Sequence, residues 1–381
     1  MQLISLDEKL DFFNGKSIPK KEITLDQNVD FKVYGSNGVI GFSEKFNHEN
    51  SIVIGRVGAY CGSVQYEVDK FWATDNTIVC RAKDLKDLAY FYYLLDFMNL
   101  NQHAGGAAQP LLTQSVLNML RVSIHESKER FFIGDFFSNI DESINLIRKQ
   151  ISIYEKLIEG HFKEWFINFK FPYHEQVNFV DGIPAGWKEC CLKEVIKTNP
   201  STMKKGEFEN ILYVDISSVG EGEIESVTKY SPTYAPGRAK RKVQHGDVIW
   251  SCVRPNRKQF ALIQNPQENL IVSTGFTVLR PTKIPFSFLA SIAASDDFSG
   301  YLTSVAQGAA YPAVTYKDFE EFGFLLPTDD LLDEYHKITQ PMYEQVNVLQ
   351  KQSDKLRELK ATLLPRLMSG ELDVSKLTSI E

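Results

Sequence analysis

Residues 104–124 (AGGAAQPLLTQSVLNMLRVSI) and 306–326 (AQGAAYPAVTYKDFEEFGFLL) are related by a constant shift of 202 and share a GAAxP core. Gly106, Ala107, Ala108, Pro110 and Thr113 meet Gly308, Ala309, Ala310, Pro312 and Thr315. The shift continues without a gap into the next segment, where NLIRKQ at 145–150 lies over NVLQKQ at 347–352. A gapless match across two dissimilar elements means that one structural unit has been built twice. At 381 residues the chain is long enough to give each copy its own core.

Upstream the copies agree more loosely. SIVIGRVGAY (51–60) sets against DVIWSCVRPN (247–256), and WATDNTIV (72–79) against VSTGFTVL (272–279). Both are alternating, β-prone runs broken by Gly, Asn and Pro, so each half reads as a β-rich globular domain followed by a helix. In the first helix Phe137, Ile140, Ile144, Ile147, Ile151, Tyr154 and Ile158 recur at steps of three and four. The second offers Met342, Val346, Leu349, Leu356 and Leu363 on a similar seam, flanked by Lys and Glu. Such seams are those of a coiled coil. Running antiparallel, the two stripes would bury each other, with the globular domains at opposite ends of a rod under approximate two-fold symmetry. About 35 helical residues span ~50 Å, or one to one and a half turns of DNA at ~34 Å each. Pro172 after the first helix, and Pro365 with Gly370 after the second, serve as stop signals, while Asp329 and Asp330 suit a helix's first turn. Residues 170–186 read as a linker.

The net charge of −7 excludes a protein that coats nucleic acid by bulk positive charge. Any such contact has to be local, and one segment qualifies. Residues 229–258 hold Lys229, Arg238, Lys240, Arg241, Lys242, Arg254, Arg257 and Lys258 against Asp247 alone. Basic contacts to phosphates position a protein, whereas bidentate Arg on guanine, or Asn and Gln on adenine, discriminate by ~1–3 kcal/mol each. Arg254, Asn256 and Arg257 are the candidate base readers, the alternative for the two arginines being structural ion pairs and for RAKRK (238–242) a solvated loop. In the first half Lys16, Lys20, Lys21, Tyr34, Ser36, Asn37 and Arg56 form a sparser matching set. Ser36-Asn37-Gly38 is equally a tight hairpin turn that needs no ligand. The GAAxP loops read as packing at the junction of globular domain and helix, with Gln109 as the possible DNA contact.

Several chemistries lack their residues. NGKS at 14–17 ends like a phosphate loop, but Leu10 stands where the first glycine is required. NPST at 199 and NPQE at 265 lack the second proline of an adenine-methyltransferase signature, and no HExxH, nucleophile elbow or spaced His and Cys set occurs. Cys61, Cys80, Cys190, Cys191 and Cys252 contain no CxxC pair and fit a reducing cytosol. No apolar run approaches the ~20 residues of a membrane span, and MQLISLDEKLDFF lacks the long apolar core of a signal peptide.

Three segments carry a family resemblance: GIPAGWKECCLKEV (182–195), the two GAAxP segments, and LKATLLPRLMSGEL (359–372). With them the chain resembles the specificity subunits of Type I restriction-modification systems over almost its whole length. It departs from the pattern at its start, where LISLDEKLDFF has no tryptophan motif. The resemblance implies an α+β protein: two β-rich target-recognition domains joined by two long helices in an antiparallel coiled coil, as a pseudo-two-fold internal repeat. The expected division is 1–126 for the first recognition domain, 127–170 for the central helix, 171–186 for the linker, 187–327 for the second recognition domain and 328–381 for the C-terminal helix. The implied function is recognition of a bipartite double-stranded DNA target in the cytoplasm, without catalysis by this chain. The implied partners are two methyltransferase subunits and, in the full complex, restriction subunits. S-adenosylmethionine is expected in the methyltransferase, and this chain is expected to bind no cofactor or metal. The rival readings are a nuclease and a protein-binding scaffold.

Overall fold

The computed structural model describes residues 1–106 and 110–374. The chain divides into two compact units, one made of residues 1–147 with the segment from 352 onward, the other of residues 148–351. Both are mixtures of helix and sheet.

In the first unit a four-stranded antiparallel sheet runs in the order Leu10–Asn14, Thr77–Ala82, Ser51–Gly55, Val64–Glu67. A second sheet holds Gly38–Ser43, Phe31–Gly35 and Phe71–Ala73. The strand Ser51–Gly55 is buried at every position because both of its faces are covered. Ile52 and Ile54 enter one core with Leu10, Ile78 and Phe91, while Val53 joins Tyr34, Phe71 and Val79 in another. The helix Leu88–Phe97 covers the larger core, and Gln2–Ser5 pairs antiparallel with Arg121–Ile124.

The second unit repeats this plan with additions. Its main sheet runs Ile196–Thr198, Phe276–Pro281, Val248–Ser251, Phe260–Leu262, Glu221–Gly222. Its other sheet runs Thr228–Tyr230, Ile211–Val214, Leu270–Ser273, Ala239–Lys242. Val248 and Trp250 face the larger core and Ile249 the smaller, as Ile52, Ile54 and Val53 do in the first unit. Lys188–Cys191 pairs with Gly323–Leu326 as Gln2–Ser5 does with Arg121–Ile124. The expected doubling is therefore present strand by strand.

The long helices are Ser127–Phe162, prolonged by a π turn at Lys163–Ile167, and Asp329–Met368. Within the second unit they run antiparallel: the rings of Phe162, Trp165 and Phe166 meet Tyr335, while Ser152 and Glu155 line one cavity with Tyr343, Val346 and Gln350. Of the seam residues, Phe137, Ile140, Ile144, Ile147, Ile158, Val346 and Leu349 are buried. Ile151, Tyr154, Met342, Leu356 and Leu363 are half-buried. The burial is not only helix on helix. Phe137, Ile140 and Ile144 share a core with Leu10, Ile52 and Ile78, and the Phe137 ring sits 5.3 Å from that of Tyr93, so the stripe also closes its own sheet domain.

Two expectations need correction. Pro365 does not stop the second helix, which also contains Pro341 and runs on to Met368. A proline forfeits one helical hydrogen bond at a cost of ~3 kcal/mol, which extensive packing on both sides absorbs. The stop is Gly370, at φ +76. Residues 170–186, expected as a linker, lie within the second unit: Phe179–Val180 and Ile183–Pro184 form a small hairpin, and Phe171 is buried with its ring 5.6 Å from that of Trp187, which in turn meets Phe166.

Candidate nucleic-acid interface

In the second unit four loops gather at one end of the main sheet. The strand Val248–Ser251 leads into Cys252-Val253-Arg254, and Val253 bridges to Ala313 behind the second GAAxP segment. The Arg254 amide donates to the Pro312 carbonyl at 2.7 Å, and the Cys252 amide to Gly275 at 2.8 Å. On the far side of that turn the Thr274 amide donates to Arg238, and Arg241 Nη2 to the Thr274 carbonyl. Arg238, Arg254, Asn256 and Arg257 are thus brought to one end by backbone hydrogen bonds rather than by their own charges.

The local conformation is unusual. Arg254 (φ +52) and Lys258 (φ +48) both adopt the left-handed region around a turn at Pro255–Arg257. For residues with a Cβ this costs ~1–2 kcal/mol each. The Arg254 guanidinium lies 4.5 Å from the centroid of the Tyr311 ring, itself 68% exposed. Arg238, Lys240, Arg254 and Arg257 have no ion pair among the described residues, and Asn256 and Arg257 are exposed.

Other members of the basic cluster are committed elsewhere. Lys242 pairs with Glu207, and Lys258 with Asp296 and, at 3.5 Å, with Glu221. The Lys258 partners hold its ammonium above the usual lysine range. Arg241 is half-buried and sits beneath the loops rather than on them. Lys242, Lys258 and Arg241 therefore leave the set of uncommitted candidate DNA contacts. Asp247, the lone acid of the segment, is fully buried and takes both hydrogen bonds of the Arg280 fork at 2.7 Å.

The first unit assembles the corresponding end from the corresponding segments. The Arg56 amide donates to Asn76, and the Gly58 amide to Pro110. Val57 bridges to Leu111. The Ser36-Asn37 turn is tied in as well: Ser36 Oγ donates to the Asn76 carbonyl at 2.7 Å, and Ser63 Oγ to the Ser36 carbonyl. The turn reading of Ser36-Asn37-Gly38 holds, with the positive φ at Gly38 as in a bulged hairpin. The Lys16 amide donates to Ala73, and its carbonyl accepts from Trp72, which puts it near the same end. Burial first, then Arg81 and Lys16, push the His48 imidazole down to about 4, so it adds no charge at neutral pH.

Tyr34 is a correction. It is buried, and its hydroxyl donates at 2.8 Å to Glu67, which also takes Lys32. Its place is in the smaller core. Lys20 and Lys21 are exposed on a short turn, and among the described residues no side-chain hydrogen bond or ion pair ties them to the loop end. Gln109, with Ala107 and Ala108, lies outside the described residues. Sequence reasoning missed Tyr311 and Tyr60, both exposed on these loops. For Tyr311 the variable position of GAAxP was the available signal, since it changes from Gln to Tyr while its neighbours do not.

Among the described residues no His, Cys, Asp and Glu group is arranged to hold a metal, the five cysteines are unpaired, and no helix is long and apolar enough to cross a membrane.

The architecture is two β-rich units, each presenting loops beside a long helix. Residues 1–153 match the family described as Type I restriction modification DNA specificity domain. The chain is 24% identical over 321 residues to the Type I restriction enzyme MjaIX specificity subunit of Methanocaldococcus jannaschii, covering 76% of this chain and 70% of that one. It is 28% identical over 123 residues to the EcoprrI specificity subunit of Escherichia coli, covering 32% and 31%. The crystal structure of the Type I restriction-modification S subunit from M. genitalium superposes with a TM-score of 0.70 at 18% identity, over 96% of this chain and 95% of that one. The chain is thus similar to Type I specificity subunits, as its motifs implied, and those proteins are named for specificity rather than for a catalytic step.

Proposed function

We propose that this chain reads a bipartite double-stranded DNA sequence for a Type I restriction-modification complex, one half-site to each unit. The observation that carries this is the repeated loop end. Both units bring the segment after their central strand against a GAAxP loop by the same amide-to-proline hydrogen bond, yet line it with different side chains. Repeated backbone with divergent side chains is what two readers of different half-sites need.

The long helices then fix the spacer between half-sites and carry two methyltransferase subunits. Restriction subunits join in the full complex. S-adenosylmethionine belongs to the methyltransferase, this chain contributes no catalytic group, and the complex works on DNA in the cytoplasm.

A single-molecule methylation map tests this in cells expressing the chain with its neighbouring methyltransferase genes, compared with cells lacking only this chain. A split motif that disappears with the chain is the expected result. An unchanged map sinks the proposal. Binding that ignores salt would favour a protein scaffold, and metal-dependent cleavage by the purified chain would favour a nuclease.

A further inference from the structure

We infer that Arg254 reads a guanine in the half-site of the second unit, and that Tyr311 positions its guanidinium to do so. This rests on the DNA-reading function proposed above.

The first observation is a comparison of equivalent positions. Setting Ser51–Gly55 over Asp247–Ser251 carries Gly58 onto Arg254 and Gly62 onto Lys258. All four residues have positive φ, at +74 and +87 for the glycines and +52 and +48 for the basic residues. The fold thus requires left-handed backbone at both places, and glycine adopts it freely. An arginine or lysine there is retained against its conformational preference, so its side chain has to serve a purpose. For Lys258 the purpose is internal, an ion pair with Asp296. Arg254 has no carboxylate partner among the described residues, only the face of Tyr311. An arginine kept in a strained position with its donor edge uncommitted is set for an external acceptor.

The second observation concerns geometry. The Tyr311 ring stands 4.5 Å from the guanidinium, on a loop fixed by the Val253–Ala313 bridge and the Arg254 amide bond to Pro312. Contact with a ring face uses none of the guanidinium N–H groups in a hydrogen bond, and two parallel N–H groups match O6 and N7 of guanine in the major groove. Tyr311 is therefore a positioning residue and Arg254 the reader.

The test uses the complex of the full chain with its methyltransferase subunits. In methylation maps, Arg254→Ala should free one guanine position of one half-site by about tenfold or more, leaving the other half-site specified. Tyr311→Ala should weaken the same position by about threefold, with Tyr311→Phe restoring it because the ring face is kept. In binding measurements, replacing that guanine by 7-deazaguanine, which lacks the N7 acceptor, should weaken the unsubstituted complex about tenfold and leave the Arg254→Ala complex unchanged. Thermal melting of each variant separates loss of reading from loss of fold. The inference is overturned if every position stays specified in Arg254→Ala, if Tyr311→Phe fails like Tyr311→Ala, or if both half-sites relax together. A map with no split motif in the unsubstituted complex refutes the underlying function instead, and this inference with it.

Discussion

The two units solve one backbone problem with different residues. Where the first has Gly58 and Gly62, the second has Arg254 and Lys258, in the same left-handed turn and with the same amide donated to the proline of a GAAxP loop. Under the central strand the exchange continues. Ser51 of the first unit corresponds to the buried Asp247 of the second, and the facing arginine changes its partner accordingly: Arg81 Nη2 lies 3.2 Å from His48 Nδ1, while Arg280 grips Asp247 with two bonds. The first unit is relaxed in its loop and weakly tied beneath it. The second is strained in its loop and firmly tied beneath it. The difference teaches that the unit with charged side chains in its left-handed loop is also the unit whose sheet carries an ion-paired anchor beneath them.

The largest expected effect tests that anchor. Asp247→Ala leaves the guanidinium of Arg280, only 18% exposed, without its partner, and should destabilise the second unit by about 3–5 kcal/mol. Ser51→Ala at the equivalent position removes only a hydroxyl bonded to the Glu49 carbonyl and should cost about 1 kcal/mol. Denaturant unfolding of both variants checks the contrast. Equal losses would mean that the ion pair is not what distinguishes the two sheets.

The next effect concerns the second glycine of the turn. A Cβ built on Gly62 would lie 2.4 Å from the Asn101 amide nitrogen, a backbone atom that cannot step aside, and φ is +87. Gly62→Ala should therefore cost about 1–3 kcal/mol. The mirror change, Lys258→Gly, relieves strain but gives up the ion pair with Asp296, whose carboxylate is 91% exposed; it should stay within about 0.5 kcal/mol of neutral. A cost for Lys258→Gly as large as that for Gly62→Ala would show that the lysine, not the turn, holds this corner.

Much of this plan was legible in the sequence because repeats survive in backbone-critical residues. The shift of 202 joins the caps Thr113 and Thr315 and the starts of both long helices, Ser127 and Asp329. The alignment of 51–60 over 247–256 is the structural one, but that of 72–79 over 272–279 is off by one. The structure matches the Arg56 bond to Asn76 with the Cys252 bond to Gly275, a shift of 199 rather than 200. Such a slip exchanges the two faces of a strand, so matching Thr77 to Thr277 misled. At the start of the chain the missing tryptophan hid an intact element. Leu6–Glu8 and Leu192–Glu194 are the same turn, closed by Glu8 and Glu194 on the amides of Ser5 and Cys191, and Met1 corresponds to Trp187. The site was less legible because its exclusions are long-range. Glu67 removes Tyr34, Glu207 removes Lys242 and Asp296 removes Lys258, each from 33 or more residues away. Local composition counts charges but cannot pair them.

The smallest expected effect on stability falls on the residue with the largest proposed role. Arg254→Gly gives the second unit the first unit's residue at this corner. It removes a left-handed conformation worth about 1–2 kcal/mol. Against this stands about 0.4–1 kcal/mol for the extra freedom a glycine gives the unfolded chain. Loss of the Tyr311 ring contact, of order 0.5 kcal/mol at an exposed site, also subtracts. The terms nearly cancel, between a loss of about 0.5 and a gain of about 1 kcal/mol, so the melting of the second unit should shift by no more than a few degrees while discrimination in its half-site is lost. Reading would then be lost at one residue with little change in stability, as expected where strain is held for function. If Arg254→Gly instead destabilised the unit by 1 kcal/mol or more (roughly the cost of losing a real structural bond), the arginine would be part of the fold's own support, and the two units would differ in architecture rather than in what they read.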